Sequence, residues 1–552
     1  MRGQQSIHPL MTKLPSKYSA WLFIPCALLT LPIWIVFGSV FTPQYEIWQH
    51  LWQTVLSDYV INSIVLASAV GFGTLLIGAS LAWCIARYEF FGRKWLQWIV
   101  LLPLAMPAYI IAYTYTGLLD FAGPVQSAIR ESYDLSYGEY WFPDIRSLPG
   151  AIIVMTLVLY PYVYILARTA FSEHPASLRE AGKSLGVSPH RYFIKVTWPL
   201  ARPAILMGVA LAMMEAFADY GTVQFFGVDT FTTGIFRTWF GLGNQIAASQ
   251  LAALLCTFVL VLLLLEKWSR KQVRYFQNRQ SGQRSPRQKL GTLSSLTLCI
   301  VCSLAPTLGF FVPVYQLGDW AFFVSTSSFD SDFFSLAWHS FSLAAISALV
   351  VVLLALFFAY GKRLNPGKLM FTQVQAVSMG YAIPGTVIAV GILLPLSWAD
   401  HSINYVTDTF FAFTPGLILS GTAFALVLAY CVRFMSVALQ NIETGLSRIT
   451  PNMDEAARSL GSDKNQVLRA VHVPILKGSI LSAVLLVFVD VLKELPATLI
   501  LRPFNFDTLA VSAYQFASDE RLVDAAAPAL AIVLTGIIPV ILLTRALDGK
   551  VE

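Results

Sequence analysis

The sequence predicts an all-α, polytopic membrane protein of about twelve transmembrane helices in two pseudo-symmetric halves of six. Three observations predict it: a composition too apolar for a water-soluble chain, apolar runs long enough to cross a bilayer, and one sequence unit written twice. Of 552 residues, 56% are hydrophobic and 12% are charged, about half the charge of an ordinary soluble domain. Lipid is the solvent that suits such a chain.

Apolar runs of ~20 residues, enough to cross ~30 Å of hydrocarbon as a helix, begin near Trp21, Val60, Leu96, Gly150, Pro203, Leu251, Leu293, Trp338, Met370, Thr414, Gly478 and Ala525. The net charge of +6 marks one side of the membrane rather than a patch for nucleic acid. Arg2, Lys13 and Lys17 precede the first run, and Arg87, Arg93 and Lys94 follow the second. Arg168, Arg179, Lys183, Arg191 and Lys195 follow the fourth, and Lys362, Arg363 and Lys368 follow the eighth. Twelve spans with both termini cytoplasmic place all these clusters inside, as the positive-inside bias requires. Asp58, Asp319, Asp330, Asp332, Asp400 and Asp408 are then expected in the outer loops.

The first run is longer than a signal-peptide core and lacks a small-residue cleavage site, so it is expected to remain as a span. Cys26, Cys84, Cys256, Cys299, Cys302 and Cys431 all fall in or near apolar runs. Their expected role is packing, including the CxxC of Cys299 and Cys302, and no metal site is assigned to them.

The repeat sets the organisation. Residues 176–203 read ASLREAGKSLGVSPHRYFIKVTWPLARP, and residues 451–478 read PNMDEAARSLGSDKNQVLRAVHVPILKG. Glu180 matches Glu455, Gly186 matches Gly461 and Pro199 matches Pro474, each pair 275 positions apart. Ser63, Leu66 and Pro107 match Ser340, Leu343 and Pro384 at a spacing of 277, while Glu215, Asp219 and Thr233 match Asp490, Glu494 and Thr508 at 275. An even number of spans per half makes the repeats parallel, related by an axis along the membrane normal. The expected units are residues 1–265, a basic cytoplasmic linker at 266–291, and residues 292–552. After Glu266 the linker carries eight basic residues and no acid, which suits anionic headgroups.

Each copy of the repeat reads as two short cytoplasmic helices. Pro175 and Pro451 suit a first helical turn, Ala181, Ala456 and Ala457 favour helix with little bulk, and Gly186 and Gly461 suit its stop. Ser188 and Ser462 are candidate caps for the second helix, with Pro189 at its first position, and Pro199 and Pro474 are expected to break it at the membrane surface. A small-faced helix ending sharply in the cytoplasm suits a partner's groove.

The pattern resembles the EAA loop of permease subunits in binding-protein-dependent ABC importers. That resemblance implies the type I importer permease fold, two copies of an ABC ATPase subunit and a periplasmic or lipid-anchored substrate-binding protein as partners. It also implies that Glu180, Ala181, Gly186 and Pro199, with Glu455, Ala456, Ala457, Gly461 and Pro474, couple ATP hydrolysis to movement of the spans. Gly182 departs from the pattern where the second copy has Ala457. Gly182-Lys183-Ser184 imitates the end of a phosphate-binding loop, but Ser177 stands where its first glycine is needed. No cofactor is therefore expected on this chain, and ATP and Mg belong to the partner subunit.

Ionisable residues inside spans are costly and mark function by default. Glu215 and Asp219 lie four residues apart on one predicted helical face, and Asp490 and Glu494 repeat them beside Lys493. Counting along the span places Asp219 near the outer surface. The two pairs are candidates for a cation path, since carboxylates suit hard cations. A local Asp490–Lys493 ion pair and wetting of Asp219 are the alternatives. Tyr109, Tyr113, Tyr160, Tyr162 and Tyr164 are candidate oxygen ligands, or else packing and interface anchors. Ala218–Ile235 (ADYGTVQFFGVDTFTTGI) and Lys493–Val511 (KELPATLILRPFNFDTLAV) resemble the corresponding stretches of ferric iron permeases, which implies Fe(III) as the substrate. Fused thiamine permeases share the architecture, and a proton-driven secondary transporter or a passive channel would be a different class.

Overall fold

The computed structural model describes residues 21–136, 139–172, 176–271, 287–324, 329–364 and 367–548. Pro175, Arg2, Lys13, Lys17 and the linker residues 272–286 lie outside them. The first half contains α1 (Phe23–Gly38), α2 (Leu56–Arg87), α3 (Ala108–Leu119), α4 (Leu148–Ser172), α5 (Ala176–Ser184), α6 (Trp198–Ala218) and α7 (Gln245–Lys271). The second contains α8 (Thr292–Pro306), α9 (Ser331–Leu364), α10 (Gly385–Phe411), α11 (Ala423–Leu446), α12 (Pro451–Ser459), α13 (Val473–Leu492) and α14 (Ala526–Asp548). Among the described residues ten helices are long and apolar enough to cross a membrane, Arg93–Ala105 and Ala108–Tyr133 form a bent eleventh, and Ala526–Leu542 is a shorter apolar helix in the twelfth position.

Each half is built on a three-helix core, α2, α4 and α6 in the first and α9, α11 and α13 in the second. Small residues make the first core possible. A Cβ at Gly78 would lie 2.7 Å from the Tyr160 carbonyl oxygen, one at Gly73 2.7 Å from Thr156 Oγ1, and one at Gly71 2.8 Å from Met213 Cγ. Backbones that approach so closely are the usual way helices associate where lipid removes the hydrophobic drive.

The first helix of each half leaves its own core. Helix α1 packs on α10 of the second half, with a Cβ at Gly391 meeting the Pro32 carbonyl at 2.5 Å. The run from α8 through Val324 lies along α2, α3 and α4 of the first half, and Tyr115 Oη donates to the Leu308 carbonyl at 2.7 Å. The linker's described end joins this contact. Gln288 and Lys289 pair in parallel with Tyr88 and Glu89, and the Phe91 amide donates to Ser295 Oγ at 2.6 Å.

Three expectations about the spans are corrected. The third and ninth spans are not continuous helices: the chain turns by 92° at Met106–Pro107, and the ninth is interrupted at Ile383–Pro384 so that α10 begins only at Gly385. A proline lacks the amide its helix needs and disfavours helix in the residue before it. Asp400 is not in an outer loop. It is buried in α10, where its carboxylate accepts from the Leu419 and Ser420 amides and from Ser420 Oγ at 2.9, 2.8 and 2.6 Å. The tenth run begins as helix at Ala423 rather than near Thr414; in the stretch before it Leu419 and Ser420 are held by that carboxylate and Gly416 by Asn404.

Between the fifth and sixth spans of each half the chain folds into two short helices, Gly221–Phe225 and Phe231–Phe236, or Pro496–Leu501 and Leu509–Ser518. The second of each pair is anchored by one serine. Ser63 Oγ accepts the Phe231 amide at 3.1 Å, and Ser340 Oγ accepts the Leu509 amide at 2.7 Å. Thr230 and Thr508 are the N-caps, so the structural counterpart of Thr508 is Thr230 rather than Thr233.

Candidate functional site

The two repeated loops, residues 176–203 and 451–478, have the same construction. In α5, Leu185 and Val187 donate to the Ala181 and Gly182 carbonyls at 3.0 and 2.9 Å; after α12, Leu460 and Ser462 donate to Ala456 and Ala457 at 3.1 Å each. Gly186 and Gly461 take φ of +70° and +87°, the left-handed stop that glycine adopts without steric cost. The carboxylates of Glu180 and Glu455 are exposed, as are Ala181 and Ala456, while Ala457 is half-buried. Pro451 is the first residue of α12.

Two details differ from the sequence reading. The cap of the second helix in the second loop is Asp463, not Ser462: Asp463 Oδ1 accepts the Gln466 amide at 2.6 Å and Gln466 Oε1 accepts the Asp463 amide at 2.9 Å. Asp463 stands in register with Ser188, whose side chain accepts from Arg191. Pro199 and Pro474 do not break their helices. Each directly follows a π turn, Phe193–Thr197 or Leu468–His472, at the second position of α6 or α13. In the first half the helix therefore runs unbroken from Pro189 to Ala218, a rigid connection from loop to membrane.

Sequence reasoning missed Leu185 and Leu460. Both are held in the open at the loop tips, 80% and 87% exposed, and both belong to the identical Ser-Leu-Gly of the two copies. That identity was the available signal.

The four membrane carboxylates have separate partners. Asp219, just past the end of α6, caps Gly221–Phe225: its Oδ1 accepts the Thr222 and Val223 amides at 3.0 and 3.2 Å, and its Oδ2 accepts Thr222 Oγ1 at 3.0 Å. It is half-buried and engaged in this turn rather than simply wetted. Glu494 repeats the role, its Oε1 accepting the Ala497 amide at 3.3 Å at the start of Pro496–Leu501. Its other oxygen pairs with Arg433 Nε of α11 at 3.0 Å, both side chains being largely buried. Asp490 pairs with Lys493 at 2.7 Å, the local ion pair that the sequence left open. Glu215 reaches the opposite half, accepting from Tyr381 Oη at 3.2 Å, with Tyr162 beside that tyrosine.

Glu215, Asp490 and Glu494 thus share one electrostatic neighbourhood with Arg433 and Lys493. It is a polar centre between the halves with three carboxylates facing two cations, and among the described residues no three His, Cys, Asp or Glu side chains converge as a metal site. The interrupted ninth span builds it. Tyr381 lies in the turn just before Pro384, and a Cβ at Gly385 would collide with Glu494 Oε1 and lie 2.9 Å from Arg433 Nη1. Arg433 and Tyr381 were also missed by sequence reasoning. The signals were an arginine within an apolar run and paired prolines at matching places in the two halves, a pattern that marks sites in repeat-built transporters.

The sequence has parallels in known proteins. The chain is similar to an Fe(3+)-transport system permease protein of Haemophilus influenzae, with 27% identity across 96% of this chain and 99% of that protein. It is similar to a ferric transport system permease protein of Actinobacillus pleuropneumoniae, with 22% identity across 86% of this chain and 69% of that protein. A molybdenum transport system permease protein of Haemophilus influenzae matches 39% of the chain at 26% identity. Residues 74–274 and 352–552 each match the family described as binding-protein-dependent transport system inner membrane component. With that family found once in each half, around its own repeated loop and three-helix core, the chain belongs to the inner membrane components of binding-protein-dependent transport systems.

Proposed function

We propose that this multi-pass permease carries ferric iron inward and is driven by a separate ATPase, one copy seated on each cytoplasmic loop. The observation that carries the substrate is the end-to-end similarity to an Fe(3+)-transport permease, against a match over only 39% of this chain to a molybdenum permease. In this reading a binding protein delivers iron at the outer face, and both termini lie in the cytoplasm of a bacterial cell.

The coupling follows from the loops. Leu185 and Leu460 supply exposed apolar contacts beside Glu180 and Glu455, and closure of the ATPase pair moves the two loops together. The unbroken helix from Pro189 carries that movement to Glu215 and Asp219; α13 carries it to Asp490 and Glu494. Because these residues make contacts within and across the halves, rotation of one half re-sorts the polar centre. ATP and Mg act on the partner, and this chain supplies levers and a path.

The test is reconstitution of the chain in vesicles with its ATPase and with binding protein loaded with Fe(III), molybdate or thiamine. Iron-loaded protein should stimulate ATP hydrolysis and radioactive iron should accumulate. Stimulation by molybdate or thiamine alone would overturn the substrate, and uptake without the ATPase, abolished by a protonophore, would overturn the mechanism.

A further inference from the structure

Helix α3 carries a row of hydroxyls that its packing does not use. Tyr109, Tyr113 and Thr116 recur at helical spacing on one face, with residue exposures of 5%, 2% and 0%. Their hydroxyl oxygens are buried and have no hydrogen-bond partner among the described residues. Phe, Phe and Val would fill the same volume without that loss, so packing alone does not account for three hydroxyls.

The surroundings are rich in oxygen. The rings of Tyr109 and Tyr113 are 5.7 Å apart. Tyr220, at the end of the fifth span, stacks on Phe236 with ring centroids 3.7 Å apart, and its hydroxyl meets that of Tyr514, from the second half, at 3.4 Å. Tyr220 and Tyr514 both act electrostatically on Tyr113, as Asp219 does on Tyr109 and Tyr113 and Glu494 on Tyr109. Gly221 permits this approach: a Cβ there would lie 2.8 Å from the Tyr109 Cβ. The Asp219-capped helix can therefore lie directly against α3.

We propose that Tyr109 and Tyr113, with Tyr220 and Tyr514 across the junction of the halves, form a transit site that takes a hard trivalent cation through phenolate oxygens. This rests on the ferric reading above and names the residues that would hold the substrate. Phenolate and carboxylate oxygens are hard donors matched to such an ion. Each phenol that ligates as phenolate gives up one proton: Asp219, which acts electrostatically on both Tyr109 and Tyr113, receives one, and the others pass to solvent water. Because Tyr514 belongs to the other half, relative motion of the halves changes the ligand set and releases the ion.

The experiment uses the full chain, with its ATPase and iron-loaded binding protein, in vesicles, comparing wild type with Tyr109→Phe combined with Tyr113→Phe. The variant should keep or raise its melting temperature, since among the described residues the lost hydroxyls bond nothing. Iron entry should fall by about tenfold or more. The purified wild-type chain titrated with ferric nitrilotriacetate should show a visible phenolate-to-iron charge-transfer band that the variant lacks. Iron entry at the wild-type rate in the variant, or a wild-type spectrum without the band, overturns the site while leaving the ferric reading intact. A wild type that moves no iron overturns both.

Discussion

The ring of Tyr192 lies over Gly182, and a Cβ at Gly182 would be 2.9 Å from Tyr192 Cδ2. In the second loop the residues in the same places are Ala457 and Val467. The two loops fill these places differently, a large ring on glycine in the first and an alanine with a smaller partner residue in the second. The departure of Gly182 from the repeated pattern is therefore matched locally rather than a weakness of the first helix.

Gly182→Ala should loosen the first loop. Overpacking of this kind costs about 1–3 kcal/mol, which outweighs the ~1 kcal/mol that alanine gains over glycine as a helix former. Hydrogen exchange across residues 181–192 should speed up and coupled uptake should fall. Adding Tyr192→Val should restore both. Equal behaviour of the single and double variants would show that the ring and the glycine are not coupled.

Leu185→Ala with Leu460→Ala should weaken association with the ATPase by about tenfold or more, the range of buried apolar anchors at interfaces. Both side chains are exposed in this chain, so its own melting temperature should not change. Copurification at increasing dilution reads the effect.

Glu180→Gln with Glu455→Gln should separate ATP hydrolysis from transport. The chain should insert and bind its partner, and hydrolysis should persist while uptake drops. Unchanged uptake would remove these carboxylates from the coupling.

Arg433→Met or Glu494→Gln alone should each destabilise the chain in detergent by ~3–5 kcal/mol, because each disrupts a buried ion pair. The combined variant should recover much of the loss, since Gln still accepts from the Ala497 amide. Additive losses in thermal unfolding would show that the pair does not act as a unit.

Ser63→Ala and Ser340→Ala should each cost ~1–3 kcal/mol by leaving a buried amide, that of Phe231 or Leu509, without its acceptor. Similar losses would show the two anchors to be equivalent in energy as they are in geometry.

The spans, the duplication and the loops were legible because each has a local signature: apolar length, a fixed spacing, and Gly186 or Gly461 closing a short helix. The short helices after the fifth span of each half were not. Their residues mix apolar and hydroxyl-bearing side chains without a fixed period, and what turns them is a set of side-chain caps from Asp219, Glu494, Thr230 and Thr508, together with hydroxyls supplied by Ser63 and Ser340 from distant helices. The four carboxylates were legible as unusual, and Lys493 as a partner for Asp490, but the partners of the other three were not. Arg433 lies 61 positions from Glu494 in the sequence, and Tyr381 reaches Glu215 only because Pro384 interrupts its span. Interrupted spans could have been read from Pro107 and Pro384; the exchange of outer helices between the halves leaves no mark in a single sequence.

That exchange has a mechanical result. With α1 laid on the second half and α8 on the first, each half carries an arm of its neighbour, and neither can tilt without dragging that arm through the lipid. A tug on either loop is then felt on both sides of the junction, so the two halves swing in step like doors tied to each other's frames.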